Sequence, residues 1–210
     1  MNDIVTGVKP EKKGALITVN GEEQLWFDRS AWLERELREG EAVDLEELRQ
    51  WLLPRQYPSA LNSAVRLLSV RARSASEVRK RLEERRYLDD AVEMALYKLE
   101  KEGLLDDAAF AREWALARSR RQLGKSRILQ ELRSKGIDRE TAERAVGELP
   151  EEEGAERAAA LAEKLLRRYD GEAADTALRK VMAAMARRGY SFDEARDAVA
   201  LALAKRREDR

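Results

Sequence analysis

Apolar and polar residues alternate near the start of the chain, and this pattern predicts a β-hairpin. The segments ALITV (residues 15–19) and QLWF (residues 24–27) flank Asn20-Gly21. This dipeptide tolerates positive φ at both central positions of a turn, so it favours a two-residue connection between antiparallel strands. The pattern gives no other convincing strand signal.

A helix is expected next, and two prolines then suggest a boundary. The stretch DLEELRQWLL (residues 44–53) begins with Asp44, a favourable N-cap. In PRQYP, Pro54 and Pro58 lack an amide proton and bias the preceding residue away from the helical region. We therefore expect regular structure to stop there, so that residues 1–59 form a hairpin and helical segment ending in a proline-bounded linker.

From Ala60 onward the apolar residues recur at helical spacing, and the chain repeats itself about every 50 residues. Each copy is predicted to form three short helices, which bury a common core only when they pack side by side. The predicted fold is mainly α, with tandem three-helix modules in an elongated array behind a small N-terminal β-hairpin and helical segment. Matching apolar positions in the middle helices are Val78 and Leu82, Ile128 and Leu132, and Val181 and Met185; the expected modules are residues 60–105, 106–150 and 151–210.

The turns between the middle and last helices differ among the copies. Gly136 and Gly189 occupy this place in the second and third copies, and glycine readily takes the left-handed conformation that ends a helix. The first copy has Arg86 instead, which predicts a strained or differently shaped turn. Its middle helix starts with Ser74-x-x-Glu77, the pattern of a capping box.

Composition excludes several classes of function. The 210 residues include 41 Lys plus Arg and 41 Asp plus Glu, so net charge alone does not favour a nucleic-acid-coating protein. The chain has no cysteine and no histidine, which excludes thiolate nucleophiles, imidazole acid-base catalysis and zinc clusters. We expect no catalytic residues, no metal and no cofactor. Without a signal peptide or a membrane-spanning run, the expected location is the cytoplasm.

One short motif suggests a nucleotide-binding loop. Gly124-Lys125-Ser126 matches the end of G-x-x-x-x-G-K-[ST], but Ser119 stands where the first glycine is required. The residues before it favour a helix, whereas such a loop must follow a β-strand. We interpret the motif as a break between two helices.

Two further groups have a structural and a functional interpretation. Asp106-Asp107 could bind a metal, but its position before a helical stretch favours helix capping. Phe110 and Trp114 could stack on nucleic-acid bases, but their spacing favours a buried helix face. We expect capping for the first pair and core packing for the second.

Two arginine-rich clusters are the candidate binding residues. Arginine suits bidentate pairing with phosphates or carboxylates, and the clusters recur at equivalent places in the first and second modules. The alternative is a solvated surface with local ion pairs, such as Arg127 with Glu131. The first cluster is Arg71, Arg73, Arg79, Lys80 and Arg81, and the second is Arg118, Arg120, Arg121, Lys125 and Arg127.

Three stretches together resemble the RecX family. They are AVRLLSVRARSASEVRKRL (residues 64–82), EGLLDDAAFAREWALARSRRQLGKSRILQELRSKGI (residues 102–137) and RRGYSFDEARDAV (residues 187–199). The resemblance implies a non-catalytic regulator that lies in the helical groove of the RecA filament on DNA. It also implies inhibition of strand exchange, ATP hydrolysis and co-protease activity. Lys135 lies in the matching Lys-Gly-Ile stretch and joins the candidate binding residues.

The expected partners are the RecA recombinase filament and single-stranded DNA, and double-stranded DNA is a further candidate partner. We expect a monomer that contacts no membrane. The alternative hypothesis is a free-standing DNA-binding protein that uses the basic helices, although no helix aligns base-reading side chains on one face. An enzyme would need a carboxylate-only or metal-dependent mechanism, for which the ligand spacing is absent.

Overall fold

Helices make up most of residues 3–208, the part of the chain that the computed structural model describes. The backbone divides into two units, Met1–Asp106 and Asp107–Arg210. The first unit contains β1 (Asp3–Glu11), β2 (Gly14–Val19), β3 (Glu23–Asp28), α1 (Arg29–Glu34), β4 (Ala42–Val43), α2 (Leu45–Val70), α3 (Ala75–Glu83) and α4 (Asp89–Lys101). The second unit contains α5 (Asp107–Arg120), α6 (Lys125–Ser134), α7 (Arg139–Gly147), α8 (Glu151–Arg168), α9 (Ala174–Arg187) and α10 (Phe192–Glu208).

The predicted hairpin is present, but it is part of a four-stranded antiparallel sheet with the order β3-β2-β1-β4. Asn20 and Gly21 have φ of 53° and 79°, as the turn pattern required. The nearest paired residues are Val19 and Glu23, so the connection has three residues and not the two predicted. The other two strands, β1 and β4, were not predicted; β1 includes Gly7 and Pro10, residue types that are uncommon in strands.

The prediction that PRQYP ends regular structure was wrong, because α2 continues through Pro54 and Pro58. Fully buried residues lie on both sides of the prolines, with Leu52 in the core beneath the sheet and Ala60 in the core of the first module. Between them, Gln56 donates through Nε2 to the Trp26 carbonyl at 2.7 Å and accepts from the Leu88 amide at 2.6 Å. Packing and these hydrogen bonds offset the roughly 3 kcal/mol that a proline costs inside a helix.

The repeated apolar positions form the cores of the three-helix groups, as predicted. The residues aligned in the middle helices are all fully buried, and they belong to three separate apolar clusters. Arg86, Gly136 and Gly189 have φ of 61°, 76° and 88°, so the arginine turn adopts the conformation that glycine supplies elsewhere. The turn is therefore not differently shaped, whereas strain is expected as predicted, because left-handed φ is unfavourable for arginine.

Predicted helix starts also agree with the structure. Asp44 caps α2 by accepting a hydrogen bond from the Glu47 amide at 2.9 Å. Ser74 Oγ accepts from the Glu77 amide at 3.2 Å at the start of α3. Helix α5 begins at Asp107, directly after Asp106. These carboxylate and hydroxyl groups lie where helix N-termini have unpaired amides.

Candidate partner-binding surface

Most arginines of the first cluster are neutralised within their own unit. Arg79 on α3 forms a bidentate ion pair with Glu93 on α4, and this hydrogen bond lowers the pKa of the Glu93 carboxyl. Arg71 forms a second bidentate pair with Glu77, at 3.1 and 3.2 Å. The glutamate that neutralises Arg79 is 14 residues away along the chain, so local sequence did not reveal the pair.

The other three members of the first cluster differ in their contacts. Arg81 lies 2.7 Å from Glu84, and Arg73 donates through Nε to the Leu67 carbonyl at 3.1 Å. Lys80 is exposed and forms no salt bridge with any residue that the structure describes. Lys80 is therefore the one exposed residue of the first cluster without an acidic partner among the described residues, since Arg73 is partly buried.

In the second cluster, Arg118 is held by a network centred on Glu131. Arg118 Nε lies 2.7 Å from Glu131 Oε2 as an ion pair, although the N–H is not aligned for a hydrogen bond. Trp114 Nε1 donates to the same carboxylate oxygen at 3.2 Å. Lys135 and Arg118 both lie 4.1 Å from the Trp114 ring centroid, within the range of cation–π contacts. Arg118 and Lys135 therefore both pack against the Trp114 ring.

The packing interpretation of the aromatic pair is confirmed. Phe110 is only 6% exposed and belongs to the apolar cluster of α5, α6 and α7, against which Trp114 packs. Their ring centroids are 5.8 Å apart, and the angle between the two ring planes is 23°. Because the basic side chains lie against the Trp114 ring, it does not form an open platform for base stacking.

The remaining basic residues of the second cluster form what we call the basic turn: Arg120, Arg121, Lys125 and Arg127. Arg120 and Arg121 are exposed at the end of α5 and form no salt bridge with a described residue. Lys125 Nζ lies 3.7 Å from Glu151, and Arg127 lies 3.7 Å from Glu131, so both ion pairs are long. The second of these is the local pair that the alternative interpretation predicted.

The Gly124-Lys125-Ser126 motif lies at the start of a helix, as the sequence predicted. Gly124 is the N-cap of α6, and its amide donates to the Arg188 carbonyl at 2.9 Å. The Ser126 amide donates to the Gly189 carbonyl at 3.3 Å. Amides that would face a phosphate in a nucleotide loop are therefore bonded to the turn between α9 and α10.

Residues 3–208 lack two further kinds of feature. No group of three or more Asp or Glu side chains is arranged to hold a metal ion. No helix in this part of the chain has the length and apolar character needed to cross a membrane.

Comparison with known proteins identifies the family. Family models for the first, second and third three-helix domains of RecX match residues 60–99, 106–146 and 151–199. The chain belongs to the RecX family. Regulatory protein RecX of Mycolicibacterium smegmatis is 37% identical over 72% of this chain and 83% of its own length, and that of Mycobacterium avium is 35% identical over 75% and 92%.

Solved RecX structures share the fold. A crystal structure of regulatory protein RecX aligns with a TM-score of 0.64 and 26% identity, covering 91% of this chain and 96% of that one. RecX from Lactobacillus salivarius aligns with a TM-score of 0.68 over 71% of this chain and 98% of its own. The segments matched to the first two RecX domains contain both basic clusters, whereas the four-stranded sheet lies outside all three matched segments.

Proposed function

We propose that this chain binds the RecA filament on DNA, in its helical groove, and inhibits strand exchange, ATP hydrolysis and co-protease activity. Family membership supports a regulatory role, since the related proteins are named regulatory protein RecX. The observation that carries the proposed contact is the basic turn, where Arg120 and Arg121 have no acidic partner among the described residues. In a chain with equal numbers of acidic and basic residues, this local charge favours an anionic partner.

The basic turn could act on two kinds of anionic surface in one filament. Arginines that contact DNA phosphates give binding that weakens as salt rises, because counterions are released. Arginines that contact acidic subunit surfaces set orientation and register. We propose that modules 60–105, 106–150 and 151–210 supply several such weak contacts, which tethering makes effectively intramolecular.

We also propose that the chain acts by binding alone, as a cytoplasmic monomer without catalytic turnover. The lysine of the Gly124-Lys125-Ser126 motif is placed toward Glu151, and the flanking amides are bonded to backbone carbonyls. This arrangement supports a structural role for the motif. The purified chain should then neither bind nor hydrolyse ATP.

The experiment that tests the proposal measures RecA-dependent ATP hydrolysis on single-stranded DNA with and without this chain. We expect the rate of ATP hydrolysis to fall as the chain is added. A protein that contacts several RecA subunits at once restricts the subunit motions that hydrolysis requires. An unchanged rate, together with no binding to RecA-coated DNA, would refute the proposal. Stimulation would show that the chain regulates RecA with the opposite sign.

A second candidate function is binding to bare DNA without RecA. The same exposed arginines favour binding to bare DNA, since guanidinium groups form bidentate pairs with phosphates as well as with carboxylates. Affinities for bare and RecA-coated single-stranded DNA at one salt concentration distinguish the two functions. Tighter binding to the coated DNA supports the filament regulator.

A further inference from the structure

Two glycines make a close backbone contact between the second and third three-helix groups, and we call this contact the glycine joint. A Cβ atom added at Gly124 would lie 2.3 Å from the carbonyl carbon of Gly189. A Cβ added at Gly189 would lie 2.4 Å from the backbone nitrogen of Arg127. Neither position has room for a methyl group, since ordinary contacts between heavy atoms need more than 3 Å.

The glycine joint also caps a helix across the two groups. In the first module, Ser74 supplies a side-chain cap for α3. Its counterpart Gly124 has no side chain to cap α6, and the carbonyls of Arg188 and Gly189 accept hydrogen bonds from the Gly124 and Ser126 amides instead. Helix α6 therefore obtains part of its N-terminal hydrogen bonding from the third module.

The glycine joint lies inside the basic turn. Gly124 follows Arg121 by three residues and directly precedes Lys125, and Gly189 touches the backbone of Arg127. We infer that the third module is a positioning element: through Gly124 and Gly189 it fixes the backbone of the basic turn and so the geometry in which its cations meet an anionic partner. This inference rests on the proposed function for its filament partner.

The most informative variant is Gly124→Ala. Gly124 has φ of −74°, which alanine adopts without strain, so the substitution tests the contact alone. Gly154→Ala in α8 is the matched control, because an added Cβ there meets no atom within 4 Å. Gly189→Ala is a second variant that acts on the other side of the joint.

Three measurements are made on the full chain. Amide hydrogen exchange at Ser126 reports whether the joint is closed. Titrations with bare single-stranded DNA and with RecA filaments on the same DNA measure the two affinities to which the basic turn is proposed to contribute. Circular dichroism shows whether the helices remain formed.

We expect Gly124→Ala to speed exchange at Ser126 and to weaken both affinities roughly tenfold, because the cations lose their preorganised arrangement. The affinities and the Ser126 exchange rate of Gly154→Ala should stay within about twofold of the parent chain, because the added Cβ meets no neighbouring atom. Faster exchange with unchanged affinities would show a purely structural joint and overturn the inference. Unchanged exchange at Ser126 in both joint variants would also overturn it.

The outcome for the parent chain separates this inference from the proposed function. If the parent chain binds bare DNA but not RecA filaments, the proposed function fails. The joint is then still judged by the exchange and DNA affinities of the variants. If the parent chain binds filaments and both joint variants bind them equally well, only the inference about the joint fails.

Discussion

The first and second three-helix groups have the same helix pattern, yet they differ in how their basic residues are used. In the first, Arg71 and Arg79 pair with glutamates in bidentate geometry. In the second, Glu131 engages Arg118, while Arg120 and Arg121 have no salt bridge within the described chain. Basic clusters in corresponding parts of two repeats therefore need not have the same partners, because the acidic residues around them differ.

The two groups also rely on different neighbours. Side-chain hydrogen bonds connect the first group to the sheet, through Gln56 and through Arg86 with Glu11. A backbone contact connects the second group to the third, through Gly124 and Gly189. The first group is thus held to its neighbour by polar side chains. The second is held to the third by close backbone packing, which requires glycine at both positions.

Charge reversal of the basic turn should have the largest effect. Arg120→Glu with Arg121→Glu is expected to weaken binding to RecA filaments roughly a hundredfold, because attraction becomes repulsion at two exposed positions. The salt dependence of DNA binding should also become shallower, by a slope of about one for each lost phosphate contact. Fluorescence anisotropy at several salt concentrations measures both quantities.

The matched control is the reversal of Arg71 and Arg81 in the first cluster. Both are exposed but already paired, with Glu77 and Glu84, so the double variant should weaken binding only about threefold, as expected for peripheral charges. Circular dichroism should show unchanged helicity in both variants. Equal losses of affinity would mean that intramolecular pairing does not distinguish the two clusters.

Removal of Gln56 tests the side-chain connection of the first group. Gln56→Ala should lower the free energy of unfolding by about 2 to 3 kcal/mol, since it leaves the Trp26 carbonyl and Leu88 amide without their partner. Gln50→Ala on the same helix is the control, because Gln50 is exposed and its one side-chain hydrogen bond among residues 3–208 is to Glu46. Urea denaturation provides the comparison, and a loss below about 0.5 kcal/mol for Gln56→Ala would contradict it.

The sequence predicted features that depend on residues close together in the chain. Helical periodicity identified the buried positions Ile128 and Leu132, and the spacing of Ser74 and Glu77 identified a helix start. The turn at Arg86 was recognised because glycine occupies the same place in the other copies. Each of these rests on local backbone preference or on a repeat that can be compared with itself.

Contacts between residues distant in the chain were not predictable from one sequence. The Arg79 and Glu93 pair joins two helices, and helix α2 continues through its prolines because cores lie on both sides. Gly124 was recognised as a helix break, but its contact with Gly189, 65 positions later in the sequence, has no local signal. For the candidate site, the sequence identified the residue types, whereas their pairing required the structure.

Removal of one arginine from each cluster should have unequal effects on stability. Arg118→Ala should cost about 1 to 2 kcal/mol, because both side chains of its ion pair are only 22% exposed and it also contacts Trp114. Arg79→Ala should cost less than about 1 kcal/mol, because that pair is more exposed. Thermal unfolding of both variants tests the difference, and equal costs would contradict it.

The Arg79 contribution should also depend on pH. The hydrogen bond from Arg79 lowers the pKa of Glu93 in the folded chain, so the pair's contribution is present above the unfolded-state pKa. It is lost as the pH falls through the lower folded-state value. The parent chain and Arg79→Ala should therefore converge in stability in acid. A constant difference across this range would show that the pair contributes nothing through charge.

Exchange of the turn residues between the two groups should have the smallest effect, and it should be asymmetric. Gly136→Arg is expected to lower stability by about 1 kcal/mol, because a side chain is then held at positive φ. Arg86→Gly should raise stability by less than about 0.5 kcal/mol, since the relieved strain is offset by greater unfolded-state freedom and by loss of the Glu11 ion pair at 3.1 Å. Urea denaturation at neutral pH measures both changes. Equal and opposite values would mean that the contacts of Arg86 with the sheet do not stabilise the first group.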